Sequence, residues 1–226
     1  MIAIKNLCKE YGNKQVLNNI NIELEKGKVY GIVGANGSGK TTLFKCISNI
    51  EPYDGQIDSA FEILKNHVGF LQTNPVFMSR ITGWEYLKLL CIAREIKQDD
   101  FEQQNIFDLP LSQYAETYST GMKKKLAFMG ILLQNNDVFI LDEPFNGVDI
   151  HSNIIIVEII KQLKAHNKTI LVSSHIFSTL SEICDTIHLL KGGEVIKRVE
   201  KGAFDALEKE MKSYVVGDKI EKLKIL

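Results

Sequence analysis

The sequence predicts an α/β fold built on a mostly parallel sheet. Three apolar runs carry that prediction: Val29–Val33, Val138–Leu141 and Thr169–Val172. Uninterrupted runs this short suit strands buried on both faces. The first run stops at the loop opened by Gly34, and the other two at polar residues, Asp142-Glu143 and Ser173-Ser174-His175. A helical stretch between the last two runs, Ile150–Ala165, completes a strand–helix–strand unit. Ligands of such sheets bind beyond the carboxyl ends of the strands, and all three runs deliver chemically capable residues there.

The elements follow in order. Met1–Leu7 alternates, and Ile20, Ile22 and Leu24 alternate again, so the first segment reads as strands. Glu25-Lys26-Gly27-Lys28 is a turn into the first buried run. A glycine-rich loop, Gly34–Gly39, then leads into a helix over 40–50 with Leu43, Phe44 and Ile47 on one face. A helical insertion is expected over 74–133. It holds one helix from Trp84 to Ile96, with Trp84, Leu87, Leu90 and Cys91 at helical spacing. A second starts near Gly121 and runs through Leu126, Phe128 and Ile131. The domain reading is one unit over 1–226. Its core and β subdomain occupy about 1–73 and 134–205, the insertion about 74–133, and a short tail 206–226 that packs as a helix or makes a dimer contact.

Composition narrows the function. The chain has 226 residues, 45% apolar and 24% charged, as ordinary globular proteins do. A net charge of −1 excludes a broad polyanion-binding surface, so no direct nucleic-acid contact is expected, though a local basic patch stays open. Cys8, Cys46, Cys91 and Cys184 lie far apart with no CxxC pair, and read as reduced, mostly buried thiols. The start lacks a signal-peptide pattern. No run approaches the roughly 18 apolar residues of a membrane helix; Ile154–Val157 is broken at once by Glu158. A soluble, cytoplasmic protein is expected.

The loop Gly34-Ala35-Asn36-Gly37-Ser38-Gly39-Lys40-Thr41, followed by Thr42, matches G-x-x-x-x-G-K-S/T in full. Its glycines let successive backbone N–H groups point inward at phosphate oxygens, with a helix N-terminus behind them. Lys40 supplies a point charge, and Thr41 a hydroxyl for Mg²⁺. Asp142 and Glu143 form a carboxylate pair after an apolar run, costly to bury without partners. Asp142 would serve a magnesium ion, and Glu143 would orient or deprotonate a water. The competing reading makes them a solvated turn or a helix cap. His175 is either a γ-phosphate partner or a plain surface or core histidine. Gln72, after Val68–Leu71, is placed to offer an amide oxygen to metal or water.

In this order and spacing, residues 1 to about 200 resemble the ATP-binding cassette proteins, specifically the nucleotide-binding subunits of ABC transporters. The resemblance implies a P-loop NTPase (RecA-like) core with an N-terminal antiparallel β subdomain. It makes Tyr11 the ring that stacks on adenine, Gly34–Thr41 the Walker A motif and Gln72 the Q-loop glutamine. Val138–Asp142 becomes Walker B, Glu143 the catalytic glutamate, Asn146-Gly147-Val148-Asp149 the D-loop, and His175 the switch histidine. Tyr118-Ser119-Thr120-Gly121-Met122 matches the signature motif, usually L-S-G-G-Q, with Ser119 and Gly121 kept. Its Y-S-x-G-M form is similar to the ABC-2 or ABCA-like export group. Lys123, Lys124 and Lys125 either strengthen that anion site or form a solvated helix face, at least two of them the latter.

The resemblance further implies ATP and Mg²⁺ as ligands and two cassettes paired head to tail. The pair would be a homodimer or would include a related cassette. Each ATP would lie between Walker A of one chain and Ser119 and Gly121 of the other. Separate membrane-spanning permease subunits would dock near 72–96, where Trp84 serves either docking or the core. The chain would then lie on the cytoplasmic face of the membrane and couple ATP hydrolysis to transport. Two alternatives stand beside this: a cassette ATPase acting on ribosomes or nucleic acid, and a module that binds ATP without hydrolysing it. The former usually carries a second cassette, a coiled coil or metal-binding cysteines; the latter is opposed by Lys40, Asp142, Glu143 and His175.

Overall fold

A computed structural model describes residues 1–210 of the chain. Strands β1 (Ile2–Tyr11) and β2 (Lys14–Leu24) form a hairpin, turned by Gly12 at φ 58°. Strand β3 (Val29–Val33) runs into helix α1 (Lys40–Ile47), and β4 (Asp54–Ser59) and β5 (Val68–Leu71) follow. Helices α2 (Gly83–Ile92) and α3 (Thr120–Leu133) flank a largely irregular stretch. Then come β6 (Val138–Asp142), α4 (Ile150–Ala165), β7 (Thr169–Ser173), α5 (Phe177–Ile183), β8 (Thr186–Lys191) and β9 (Glu194–Glu200).

Two sheets result. The larger has the order β5-β6-β7-β3-β8-β9, parallel throughout except for the β8–β9 pair. The smaller, β2-β1-β4, is antiparallel. Every residue of β3, β6 and β7 is buried, because both faces of the large sheet are covered. Successive strand residues point to opposite faces. Accordingly Val29 and Val33 join the core under α2–α5, while Tyr30 and Ile32 join the core shared with α1 and the small sheet.

The boundaries differ from the sequence expectation where left-handed residues intervene. The expected 40–50 helix ends at Ile47, because Asn49 turns left-handed at φ 55°. The expected Trp84–Ile96 helix stops at Ile92, shortly before Glu95 at φ 56°. The first two strands run longer than their alternation suggests. Register shifts between Ile4 and Glu10, with Asn6 and Asn19 left-handed, interrupt the period without ending the pairing. The β8–β9 hairpin was not anticipated at all. Cys46, Cys91 and Cys184 are buried, Cys8 half-buried, and all four are free. Phe204 and Leu207 of the C-terminal region sit in the core; residues 211–226 of the expected tail lie outside the described residues. Among the described residues, no helix is long and apolar enough to cross a membrane.

Candidate active site

The carboxyl ends of β3, β5, β6 and β7 converge on a cleft of about 660 Å³. The glycine-rich loop forms one wall. Gly34 is required there, since a Cβ would lie 2.2 Å from the Leu190 carbonyl oxygen. Gly39 adopts φ 109° at the N-terminus of α1, a backbone open only to glycine. Asn36, Gly37, Gly39, Lys40, Thr41 and Thr42 line the cleft, while Gly34, Ala35 and Ser38 lie behind it, towards β8. Lys40 is buried, and its Nζ donates to the carbonyls of Gly34 (2.8 Å) and Ala35 (3.2 Å). Burial pushes its ammonium below the ordinary lysine pKa, with Glu143 and Asp142 acting against that shift.

Opposite the loop stands Asp142, 1% exposed. The register that pairs Asp142 with Ser173 brings the Ser173 hydroxyl onto Oδ1 at 2.7 Å. The other oxygen, Oδ2, accepts from Thr41 Oγ1 at 2.6 Å and from Thr73 Oγ1 at 2.7 Å. One carboxylate among hydroxyls is a hard, all-oxygen donor set. The described residues hold no dedicated cage of acidic, histidine or cysteine ligands. Mg²⁺ bound with a nucleotide uses one or two carboxylates plus phosphate oxygens, so this set fits it.

Glu143 follows at φ 53°, a left-handed backbone that costs a residue with a Cβ about 1 kcal/mol. Two hydrogen bonds hold it there. Its N–H donates to Ser173 Oγ at 3.0 Å, and its carbonyl accepts from Lys124 Nζ at 2.7 Å. Its Oε1 is buried without a hydrogen-bond partner, and His175 Nε2 stands 3.1 Å away, close but out of line for a hydrogen bond. Glu143 and His175 both line the cleft.

Gln72 does not come to the site in this structure. It is exposed and off the cleft wall, and Thr73 takes the place expected of it. The strand β5 ends at Leu71, and in the bend beyond it half-buried Thr73 turns towards Asp142 while Gln72 is exposed. Tyr11 stands beside the cleft with its hydroxyl near Thr42, and Lys9 Nζ sits 4.7 Å from its ring centroid.

Ser119, Gly121 and Asp149 lie off the cleft wall. Ser119 caps α3, its Oγ accepting from Met122 N–H at 3.2 Å. Gly121 packs so closely on the D-loop that a Cβ would meet the Gly147 carbonyl oxygen at 2.5 Å. Asp149 caps α4; bonds from the Ser152 backbone and hydroxyl, then Lys125, hold its carboxyl well below the usual carboxylate range. Tyr118, where leucine is usual, is buried and donates to the Pro110 carbonyl at 2.7 Å, tying the irregular stretch to the signature. The expectation that at least two of the three lysines form a solvated face is corrected. Lys124 is 1% exposed, and Lys125 pairs with Asp149 at 3.1 Å. Both are drawn inward because the first turns of α3 meet the segment after β6. Sequence reasoning missed Thr73 and gave Ser173 no role, whereas Asn146, expected in the D-loop, lines the cleft.

Known proteins match the sequence and the fold. Residues 17–146 match the family described as ABC transporter. The chain is 30% identical over 232 residues to the bacitracin transport ATP-binding protein of Enterococcus faecalis, covering 96% of this chain and 75% of that protein. A solved ATP-binding subunit of an ABC transporter superposes with a TM-score of 0.83 at 25% identity, covering 93% of each chain. A dimeric ATP-binding cassette in a post-hydrolysis state, bound to ADP and Pi, shares the fold with a TM-score of 0.79 at 20% identity, covering 89% of this chain and 99% of that one. By the family match over residues 17–146, which spans the phosphate loop and the paired carboxylates, the chain belongs to the ABC transporter family as an ATP-binding subunit.

Proposed function

We propose that this chain hydrolyses ATP in the cleft between Lys40 and Glu143 and does so as one half of a head-to-tail pair. The observation that carries the reading is Glu143 Oε1, a buried acceptor with no hydrogen-bond partner at the edge of the cleft. A water admitted there from the cleft would donate one proton to Oε1 and direct its oxygen at the γ-phosphorus, as a general base requires. His175, beside Oε1, is placed to hold that water or the γ-phosphate. Loop N–H groups from Gly34 to Thr42 and the N-terminus of α1 bind the phosphates, and Lys40 offers its charge to the β and γ groups. Tyr11 stacks on adenine.

Thr41 and Asp142 would hold Mg²⁺, with Thr73 rather than Gln72 on the same carboxylate oxygen. The ion supplies positive charge that offsets the charge developing on the phosphate oxygens. Ser119 and Gly121 sit away from this cleft, which supports a site completed by the signature of a second cassette, identical or related. Asp149 belongs to that same contact region. Separate membrane-spanning permeases would couple the cycle to transport, export being favoured by the Y-S-x-G-M signature, with the chain on the cytoplasmic face of the membrane.

Steady-state release of phosphate by the purified chain tests the reading. Magnesium-dependent turnover that E143Q lowers at least about 100-fold, with ATP still bound, is expected for loss of a general base. Unchanged turnover in E143Q would remove Glu143 from that role.

A further inference from the structure

Lys124 is one of the largest fully buried side chains of the protein, at 1% exposure. Burying an ammonium is costly, and burial lowers its pKa, with Glu143 and Asp142 acting against that shift. Its Nζ donates to two backbone carbonyls, Glu143 at 2.7 Å and Asn146 at 2.8 Å. A stabilising surface contact would not need such burial, so the position calls for a local explanation. The two acceptors bracket the loop that leaves β6. The first of them belongs to a residue in a strained left-handed backbone, clamped on its other side by Ser173 Oγ.

We propose that Lys124 is a positioning residue for Glu143: it holds the carbonyl of the base, so that the aim of the Glu143 carboxylate depends on where α3 sits. The inference rests on Glu143 acting as the base. Two further contacts lock the same two segments. Gly121 packs on the Gly147 carbonyl, and Lys125 Nζ reaches Asp149 Oδ2 and Ser152 Oγ. The helix capped by Ser119 is therefore tied at three points to the Glu143–Ser152 segment of its own chain. A shift of α3 when Ser119 engages a neighbouring nucleotide would reach this chain's base directly through Lys124.

The test uses the full chain and two variants. K124M keeps length and bulk but donates nothing; K124Q keeps an N–H donor on a shorter arm. In K124M, kcat is expected to fall at least tenfold with KM for ATP and monomer nucleotide affinity within twofold of the parent. K124Q is expected to lie between K124M and the parent, which a simple packing role would not produce. Single-turnover rates in an E143Q background separate the two readings. K124M adds no further loss there if Lys124 acts through Glu143. Parent-like kcat in both variants overturns the proposal, as does a full additional loss in the E143Q background or a parallel loss of nucleotide affinity. If K124M is insoluble, K124Q carries the same comparison, with a threefold or greater fall in kcat expected and a parent-like kcat overturning the proposal. If E143Q alone leaves turnover unchanged, the base assignment fails instead, and the two failures are distinguishable.

Discussion

Thr73 Oγ1 and Asp142 Oδ2 are 2.7 Å apart, and Thr41 Oγ1 shares that oxygen at 2.6 Å. Two hydroxyls therefore orient one oxygen of the carboxylate proposed for magnesium. A hydrogen bond to a charged group is worth about 1.5–3 kcal/mol. T73A is expected to lower turnover about tenfold and to raise the magnesium concentration needed for half-maximal activity, more than Q72A does. A magnesium titration of both variants checks the ranking. A larger effect from Q72A would return the Q-loop role to Gln72.

That position shows where the sequence was legible. The phosphate loop could be read outright, because its pattern is local: glycines, a lysine and a threonine at fixed spacing define the loop without help from distant segments. The three buried strands were legible for the same reason, as were Asp142, Glu143 and His175 at their ends. Thr73 was not, because a glutamine next to a threonine attracts the functional reading, and the bend after β5 that turns Thr73 to Asp142 leaves no periodic signal. Lys124 had a signal that went unused. It shares a helical face with Phe128 and Ile131, both buried, so it must point inward with them. The β8–β9 hairpin and the bulged ends of β1 and β2 depend on pairing between distant segments, which periodicity alone does not reveal.

Tyr11 has a cation on one ring face, with Lys9 Nζ at 4.7 Å, and is 43% exposed. The proposal gives the other face to adenine. Stacking of a base on an aromatic ring is worth about 1–3 kcal/mol. Y11A is therefore expected to weaken ATP binding at least fivefold, and Y11F to restore most of it. Fluorescent-nucleotide titration reads both. Parent-like affinity in Y11A would sink the stacking assignment.

His188 is 2% exposed, and its Nδ1 has no hydrogen-bond partner. Burial, then the nearby Arg198, pushes its pKa down to about 4, with Glu200 acting the other way. The sign follows from linkage. The unfolded chain takes up this proton near the ordinary histidine value of about 6.5, the folded chain only near 4. Stability is therefore intact above about pH 6.5 and falls as pH drops towards 4, by an amount on the order of 2–3 kcal/mol. Urea unfolding of the parent and H188F between pH 7 and 4 measures it. The gap between their pH slopes is expected to show this loss in the parent alone; parallel slopes would contradict it.

Ser119 is exposed and caps α3 without reaching its own cleft. S119A is expected to lower turnover at least tenfold while leaving nucleotide affinity of the monomer within twofold. Isothermal titration alongside phosphate release separates the two quantities. A matching fall in monomer affinity would place Ser119 in its own chain's site.

In the proposed pair, the loop from Gly34 to Thr41 forms half of a site which a second cassette completes. Sedimentation of E143Q with and without saturating ATP and magnesium reads this pairing. A monomer is expected without nucleotide, an ATP-bound dimer with it, and loss of that dimer when S119A is added. An E143Q chain that binds ATP fully yet stays monomeric, alone and mixed with a related cassette, would contradict it.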